Sequence, residues 1–157
     1  PRLYPIASIF MTYRYHSHSL RKGRFSEVGR PYLVTFTTAG RYPWFSHFPT
    51  ACQACRAITR SDTQGASKTW CYVVMPDHIH WLLSTTEKHE LSQIIRMVKA
   101  RVSRHQEQTI WQPGFHDHAL RSEQALKPTA RYIIANPVRA GLVTSVRDYP
   151  FWNAAWL

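Results

Sequence analysis

The chain has 157 residues, which is enough to bury the hydrophobic core of one domain. Its hydrophobic fraction of 44% and aromatic fraction of 13% exclude an intrinsically disordered protein, and no apolar run is long enough for a membrane span. Lys and Arg total 20 against 9 Asp and Glu, so the net charge of +11 favours a polyanionic partner, above all nucleic acid. The three cysteines do not suggest a secreted disulfide scaffold, and we expect a cytoplasmic protein.

Residues 1–30 are predicted to form a basic N-terminal arm. From Tyr13 to Arg30 the sequence YRYHSHSLRKGRFSEVGR holds five Lys or Arg residues and two His against one acid, Glu27. Aromatic residues alternate with these cations, a composition that suits phosphates on the cations and unpaired bases on the rings. The alternative is a solvated tail without a ligand. The candidate nucleic-acid contacts in the arm are Arg14, His16, His18, Arg21, Lys22 and Arg24.

Residues 31–157 are predicted to form a single α+β domain. β-branched and aromatic stretches predict strands, and apolar residues at helical spacing predict helices. The predicted elements are strand 31–38, helix 49–61, strands 70–75 and 78–84 joined by a turn at Pro76 and Asp77, helix 90–106, strand 114–120, and a last helix from 127 or 128 to 136 that Pro137 bends or ends. Their order predicts a ferredoxin-like or RRM-like antiparallel sheet with helices packed mainly on one face.

The stretch MPDHIHWLL places two histidines on one predicted strand. Because residues i and i+2 of a strand point to the same side, His78 and His80 project together, while Ile79 and Trp81 face the opposite side. Two imidazoles can share a divalent cation and leave coordination positions open, which a metal needs in order to polarise a phosphate oxygen. A hydrogen-bonded pair of structural histidines is an equally good interpretation of this pattern alone.

The last predicted helix carries a candidate nucleophile. In RYIIANPVRAG, Tyr132 and Asn136 lie four residues apart and share a helix face. A tyrosine hydroxyl that attacks phosphorus forms a phosphotyrosine, which conserves the bond energy for rejoining. The Asn136 carbonyl oxygen is a candidate third metal ligand, and Arg131 and Arg139 are candidate phosphate contacts. A tyrosine on a helix is, however, more often a packing residue.

Four segments of the chain resemble the single-tyrosine HUH transposases, and specifically the REP-associated tyrosine transposases of bacterial chromosomes. In order they are the arm SHSLRKGRFSEVGRPYLVTFTT, the histidine strand YVVMPDHIHWLL, the segment WQPGFHDHALR and the helix YIIANPVRAGLV. The second and fourth segments are similar to the family patterns YVxMPxHxHxLL and Y-I-x-x-N-P-V-x-x-G. The resemblance as a whole extends over roughly residues 16–152, nearly the whole chain.

The resemblance implies an HUH endonuclease fold and a DNA-cleaving activity. It implies that the enzyme acts on single-stranded or hairpin DNA with Mg2+ or Mn2+, and that it leaves a 5′-phosphotyrosine and a free 3′-OH. Relatives of this type bind palindromic REP hairpins flanked by a short guide tetranucleotide, which the basic arm is expected to help hold. A monomer is favoured over a homodimer, and a place on the nucleoid follows from the DNA substrate.

The resemblance also implies a role for each matching residue. His78, His80 and Asn136 are implied as metal ligands, and Tyr132 as the nucleophile. Lys99, on the helix at 90–106, is implied to contact DNA, and His118 and Arg121, at recurring family positions, to support the active site. The basic face of the same helix makes Arg101 and Arg104 further candidate DNA contacts.

Two other functions stay open at this point. The first is a non-catalytic, RRM-like nucleic-acid-binding protein, in which His78, His80 and Tyr132 are structural. The second is a metal-dependent nuclease that uses water as its nucleophile. The three possibilities differ in whether cleavage occurs and in whether it needs Tyr132.

Overall fold

The fold is built on a five-stranded antiparallel sheet within residues 26–104 and 106–156, which the computed structural model describes. The strands are β1 (Pro31–Thr37), β2 (Ser67–Met75), β3 (His78–Thr85), β4 (His116–Ala119) and β5 (Trp152–Ala154), in the spatial order β4-β1-β3-β2-β5. The helices are α1 (Phe48–Thr63), α2 (Leu91–Ser103), α3 (Leu126–Ile134) and α4 (Asn136–Arg139). The first four strands and two helices have the predicted ferredoxin-like order, so the predicted α+β fold is confirmed.

The two faces of the sheet bury different sets of residues. One face carries Val34, Phe36, Ile79 and Trp81, all fully buried beneath α1 and α2. This apolar face holds β3 in place, since strand alternation sends every second side chain into it.

The other face carries the side chains of His78 and His80 and is called the histidine face below. Its apolar part is covered by α3, whose residues Leu126, Ala130 and Ile133 pack on the buried side chains of β2 and β3. The spacing of four and then three residues gives α3 one apolar stripe. The two long helices therefore lie on one face, as predicted, and the short α3 packs on the other.

Hydrogen bonds from residues outside β2 and β3 hold the turn between these two strands. Phe45 donates its backbone N–H to the Pro76 carbonyl at 3.0 Å, and Thr38 donates both its N–H and its hydroxyl to the Asp77 carbonyl at 2.9 Å. Thr38 is completely buried. These bonds from the end of β1 anchor the turn that leads into His78.

Three details differ from the predicted elements. The last predicted helix is divided at Ala135, where α3 ends and α4 begins, in accord with the expected effect of Pro137. Strand β2 begins at Ser67 and shifts register between Thr69 and Cys71. Strand β5 was not predicted because it has three residues, too few to show a pattern. It pairs with β2, and the nearby Tyr149 hydroxyl donates to the Val74 carbonyl at 2.6 Å.

Most of the predicted basic arm, residues 1–25, lies outside the described residues. This range includes Arg14, His16, His18, Arg21, Lys22 and Arg24, so their contacts with nucleic acid stay predictions. Within the described part of the chain, no helix combines the length and the apolar character needed to cross a membrane.

Candidate active site

The two histidines of β3 meet at their ring tips. The Nε2 atoms of His78 and His80 are 3.2 Å apart, within hydrogen-bond distance of each other, and their rings lie edge to face at 82°. Ile79 and Trp81 alternate with them and are fully buried on the opposite face. Because β3 is the central strand, paired with β1 and β2 on either side, both rings stand on a rigid platform.

The inner nitrogen of each ring has its own hydrogen-bond partner. The Nδ1 atom of His78 lies 2.6 Å from Oδ1 of Asp77, and that of His80 lies 2.7 Å from the Thr35 hydroxyl. An Asp77 carboxylate can only accept, so His78 Nδ1 carries the proton and its Nε2 presents a lone pair. The Thr35 hydroxyl can donate to His80 Nδ1 or accept from it. Partners of this kind orient metal-binding histidines and set their tautomers.

Burial keeps both imidazoles in the neutral form that binds metal. Burial lowers the pKa of His78 below its ordinary value of 6.5, although Asp77 opposes the shift. For His80, burial and the positive charges of His78, Arg139 and Arg41 lower the pKa to about 3. Neither ring carries a proton on both nitrogens at neutral pH, so each ring keeps one nitrogen lone pair.

The histidine pair fits a shared divalent cation. Two nitrogen ligands about 2.1 Å from one ion, at an angle near 100°, are roughly 3.2 Å apart, which is the separation of the two Nε2 atoms. Among the described residues, no group of three or more His, Cys, Asp or Glu side chains could hold a metal. Within the described part of the chain, further ligands would come from amide, water or substrate oxygens, which are donors that Mg2+ and Mn2+ accept in an open site.

Arg41 completes a chain of contacts to His78 that the sequence did not reveal. Its Nε atom lies 3.0 Å from Oδ2 of Asp77, the carboxylate that also holds His78. Arg41 adopts a φ of 58°, in the left-handed region, where a residue with a β-carbon is disfavoured by about 1–2 kcal/mol. Thr35 and Asp77 were also missed as site residues. Only Asp77, next to the first histidine, had a signal in the sequence.

The candidate nucleophile lies on the helix that covers the histidine face. Tyr132 is half-buried on α3, and the Arg139 guanidinium carbon stands 3.8 Å from its ring centroid. Arg139 also donates to the Tyr132 carbonyl at 2.7 Å and to Oδ1 of Asn136 at 2.6 Å, while the Asn136 amide donates to the Ile133 carbonyl at 2.8 Å. The structure thus brings Tyr132, Asn136 and Arg139 together. Metal ligation by Asn136 stays a prediction.

Lys99 and Arg101 have contacts of their own in the described part of the chain. Lys99 donates to the Gln112 carbonyl at 3.0 Å and to the Gly114 carbonyl at 2.5 Å, which ties α2 to the segment before β4. Arg101 donates to the side chain of Gln64 at the end of α1. Because α2 packs on the face opposite the histidines, these residues and the exposed Arg104 lie away from His78 and His80. Their DNA contacts stay predictions.

Of the other predicted residues, His118 has the clearest position. It pairs with Leu33 across β4 and β1, so its exposed side chain shares the histidine face. Arg121 is exposed just beyond β4, and Arg131 is exposed on α3. The supporting role of His118 and Arg121, and the phosphate contact of Arg131, stay predictions.

Comparison with known proteins decides the family. Residues 31–135 match the family described as "Transposase IS200 like", which is more than half of the chain. The chain belongs to this family. The matched range begins at β1 and extends through α3, so it includes the histidine pair and Tyr132 and makes this family member a transposase-type protein.

Individual relatives of this chain confirm its resemblance to REP-associated tyrosine transposases. The chain is 34% identical over 82 residues to the REP-associated tyrosine transposase of Escherichia coli K12, a match to 51% of this chain and 50% of that protein. The aligned segment thus spans about half of that relative. The solved structure of a REP-associated tyrosine transposase bound to a REP hairpin superposes with a TM-score of 0.70 and 28% identity, over 82% of this chain and 79% of that one. A Deinococcus radiodurans R1 protein described as a transposase shares the fold, with a TM-score of 0.52 and 22% identity over 72% of this chain and 95% of that one.

Proposed function

We propose that this protein cleaves and rejoins single-stranded DNA next to a hairpin, through a 5′-phosphotyrosine on Tyr132. The observation that carries the proposal is the pair of histidine Nε2 atoms 3.2 Å apart, on the sheet face against which the Tyr132 helix packs. Membership of the transposase family supports a nucleic-acid substrate for this site. The net charge of +11 suits such a polyanion.

The chemistry needs one nucleophile and no external energy source. The Tyr132 oxygen attacks the scissile phosphorus, a P–O bond to tyrosine forms, and the bond from phosphorus to the 3′ oxygen breaks. The phenolic proton leaves, and the departing 3′ oxygen takes up a proton to become a hydroxyl. In rejoining, a 3′-hydroxyl attacks the phosphotyrosine and releases the phenol. Arg139, stacked on the tyrosine ring, fixes the orientation of Tyr132 and places a positive charge beside the reacting group.

The proposed ligands of a divalent cation are His78, His80 and Asn136. When bound, Mg2+ or Mn2+ would withdraw charge from the scissile phosphate. Asn136 Oδ1 accepts a hydrogen bond from Arg139 and has a second lone pair for a metal. Thr35 and Asp77 each hold one ring through its Nδ1 atom, which keeps the two Nε2 atoms 3.2 Å apart.

The proposed substrate is a palindromic hairpin with a single-stranded flank that contains a short guide sequence. The structural relative with a TM-score of 0.70 is bound to a REP hairpin, which supports this choice. The N-terminal arm would help to hold the flank, and the protein would act as a monomer on chromosomal DNA of the nucleoid.

The test is the formation of a covalent adduct between protein and DNA. End-labelled hairpins with single-stranded flanks, including REP-type palindromes, are incubated with the protein and Mn2+ and then separated on a denaturing gel. We expect a labelled protein band that is lost in Tyr132→Phe, while hairpin binding is retained. Tyr42→Phe, at an exposed tyrosine on the loop after β1, is the matched control and should keep the adduct.

The same assay separates the two alternatives. Cleavage that survives Tyr132→Phe, without an adduct, would identify a nuclease that uses water. Binding without cleavage of any tested hairpin would identify a non-catalytic nucleic-acid-binding protein and would contradict the proposal.

A further inference from the structure

Arg41 occupies a backbone position that its residue type disfavours. It ends the short 3-10 turn Ala39–Arg41 after β1, with a φ of 58°, directly after Gly40 at 60°. Among the described residues it is the one non-glycine residue with a positive φ. Glycine adopts this conformation without a steric cost, so the arginine side chain is present against the local backbone preference. Such outliers cluster at functional sites.

The Arg41 side chain is fixed at one nitrogen and exposed beyond it. Its Nε atom pairs with Oδ2 of Asp77 at 3.0 Å, while the other oxygen of that carboxylate holds His78 at 2.6 Å. The side chain is nevertheless 61% exposed. Within the described part of the chain, the contact of its guanidinium is this one ion pair. The Nη groups are therefore left available on an exposed side chain whose Nε pairs with the carboxylate that holds His78, and the charge of Arg41 acts on both His78 and His80.

We propose that Arg41 binds a phosphate of the DNA strand beside the His78–His80 site through its Nη groups, while Asp77 fixes its Nε. A guanidinium offers a planar pair of donors that matches two phosphate oxygens. Fixing Nε in advance reduces the conformational freedom lost on binding. Arg139, on α4, also acts on His80, so positive charge reaches the histidine pair from two elements. The inference rests on the proposed function.

A purely structural role accounts less well for these observations. The Arg41 side chain is 61% exposed, so solvent screens its ion pair with Asp77 and the pair contributes only modestly to stability. Glycine at position 41 would relieve the backbone and leave Asp77 bonded to His78. A role in binding the substrate explains why a long cationic side chain stands at a position that favours glycine.

The test is a double-mutant cycle between Arg41 and single phosphates. Binding is measured in EDTA on a Tyr132→Phe background, so that no strand is cut. The DNA is a hairpin that this parent binds, with a neutral methylphosphonate placed at one linkage of the single-stranded flank at a time. Arg41→Gln is expected to weaken binding of unmodified DNA about tenfold. On DNA whose contacted phosphate is neutral, the same substitution should have almost no effect.

Arg30→Gln is the matched control. Arg30 forms a similar exposed pair, with Glu27 at 2.9 Å, at the other end of β1. Arg30→Gln should change the binding affinity by the same factor on every hairpin, whichever flank linkage carries the methylphosphonate. Arg41→Gly guards against a folding defect, since it should show an unchanged or higher Tm together with the binding loss of Arg41→Gln.

The outcomes are distinct. If Arg41→Gln weakens binding by the same factor on every methylphosphonate DNA as on unmodified DNA, the two changes act independently at every linkage. Arg41 then contacts no phosphate of the flank, and the inference is overturned. If the parent binds no hairpin at all, the proposed function fails, and this inference fails with it.

Discussion

At the residue scale, the site depends on contacts between residues that are far apart in the sequence. Strand alternation predicted that His78 and His80 share a face, and their Nε2 atoms do meet, 3.2 Å apart. Thr35 could not be predicted, because it reaches His80 through the β1–β3 pairing across 45 residues. Arg41 could not be predicted either, because its place at the site follows from a turn conformation and from an ion pair with Asp77.

Removal of the Thr35 hydroxyl is expected to weaken metal binding. Thr35→Val keeps the shape of the side chain and removes the hydrogen bond that orients His80. Loss of such a partner typically reduces metal affinity about 10–100-fold. Titration of Mn2+, followed by the EPR signal of the free ion, measures the affinity. Thr37→Val, two residues further along the same face of β1, is the control, and an equal effect of both substitutions would contradict the assigned role of Thr35.

At the element scale, the strongly patterned segments were predictable and the short ones were not. The apolar stripe of α2 and the alternation of β3 gave their faces correctly, since each buries several side chains. Strand β5, of three residues, was missed because its position depends on backbone pairing with β2. The break between α3 and α4 at Ala135 separates Tyr132 from Asn136 by a change of helix, while the Arg139 contacts join the two helices.

Lys99 is expected to matter for stability. It donates to the Gln112 and Gly114 carbonyls, and the Trp111 indole donates back to the Lys99 carbonyl at 3.0 Å. Lys99→Met leaves two carbonyls without this partner and should lower the free energy of unfolding by about 1–3 kcal/mol. Urea denaturation measures this change.

Arg96→Met is the control, at an exposed position one turn earlier on α2, and should change stability by less than about 0.5 kcal/mol. The DNA contact predicted for Lys99 is tested on the same protein by the salt dependence of DNA binding. A shallower slope with unchanged stability would show that Lys99 serves the DNA rather than the fold.

At the scale of the whole molecule, the sheet ends in short edges. Strand β4 has four residues and β5 has three, so neither edge offers a long row of free backbone groups to a second copy. The monomer that the sequence resemblance implied stays a prediction. Light scattering coupled to gel filtration should give a mass near 18.3 kDa for the free protein, and a mass twice as large at micromolar concentration would contradict this expectation.

The fold also explains how one domain can combine the proposed metal site and the proposed nucleophile. The rigid central strand β3 presents the histidines, and α3 packs on the same face with Tyr132. The sequence predicted both halves because each is a local motif. It could not show that they share a face, which depends on how α3 packs, nor that Lys99 and Arg101 lie on the other side of the sheet.

The central claim, that Tyr132 becomes covalently linked to DNA, is tested most directly by peptide mapping of the adduct. Trypsin cuts after Arg131 and after Arg139, so Tyr132 lies in the peptide YIIANPVR as its one tyrosine, out of 8 in the chain. After reaction with hairpin DNA and Mn2+ and nuclease trimming, mass spectrometry should find a 5′-phosphonucleotide on this peptide. A nucleotide on any other tyrosine, or strand cleavage without a modified peptide, would contradict the account.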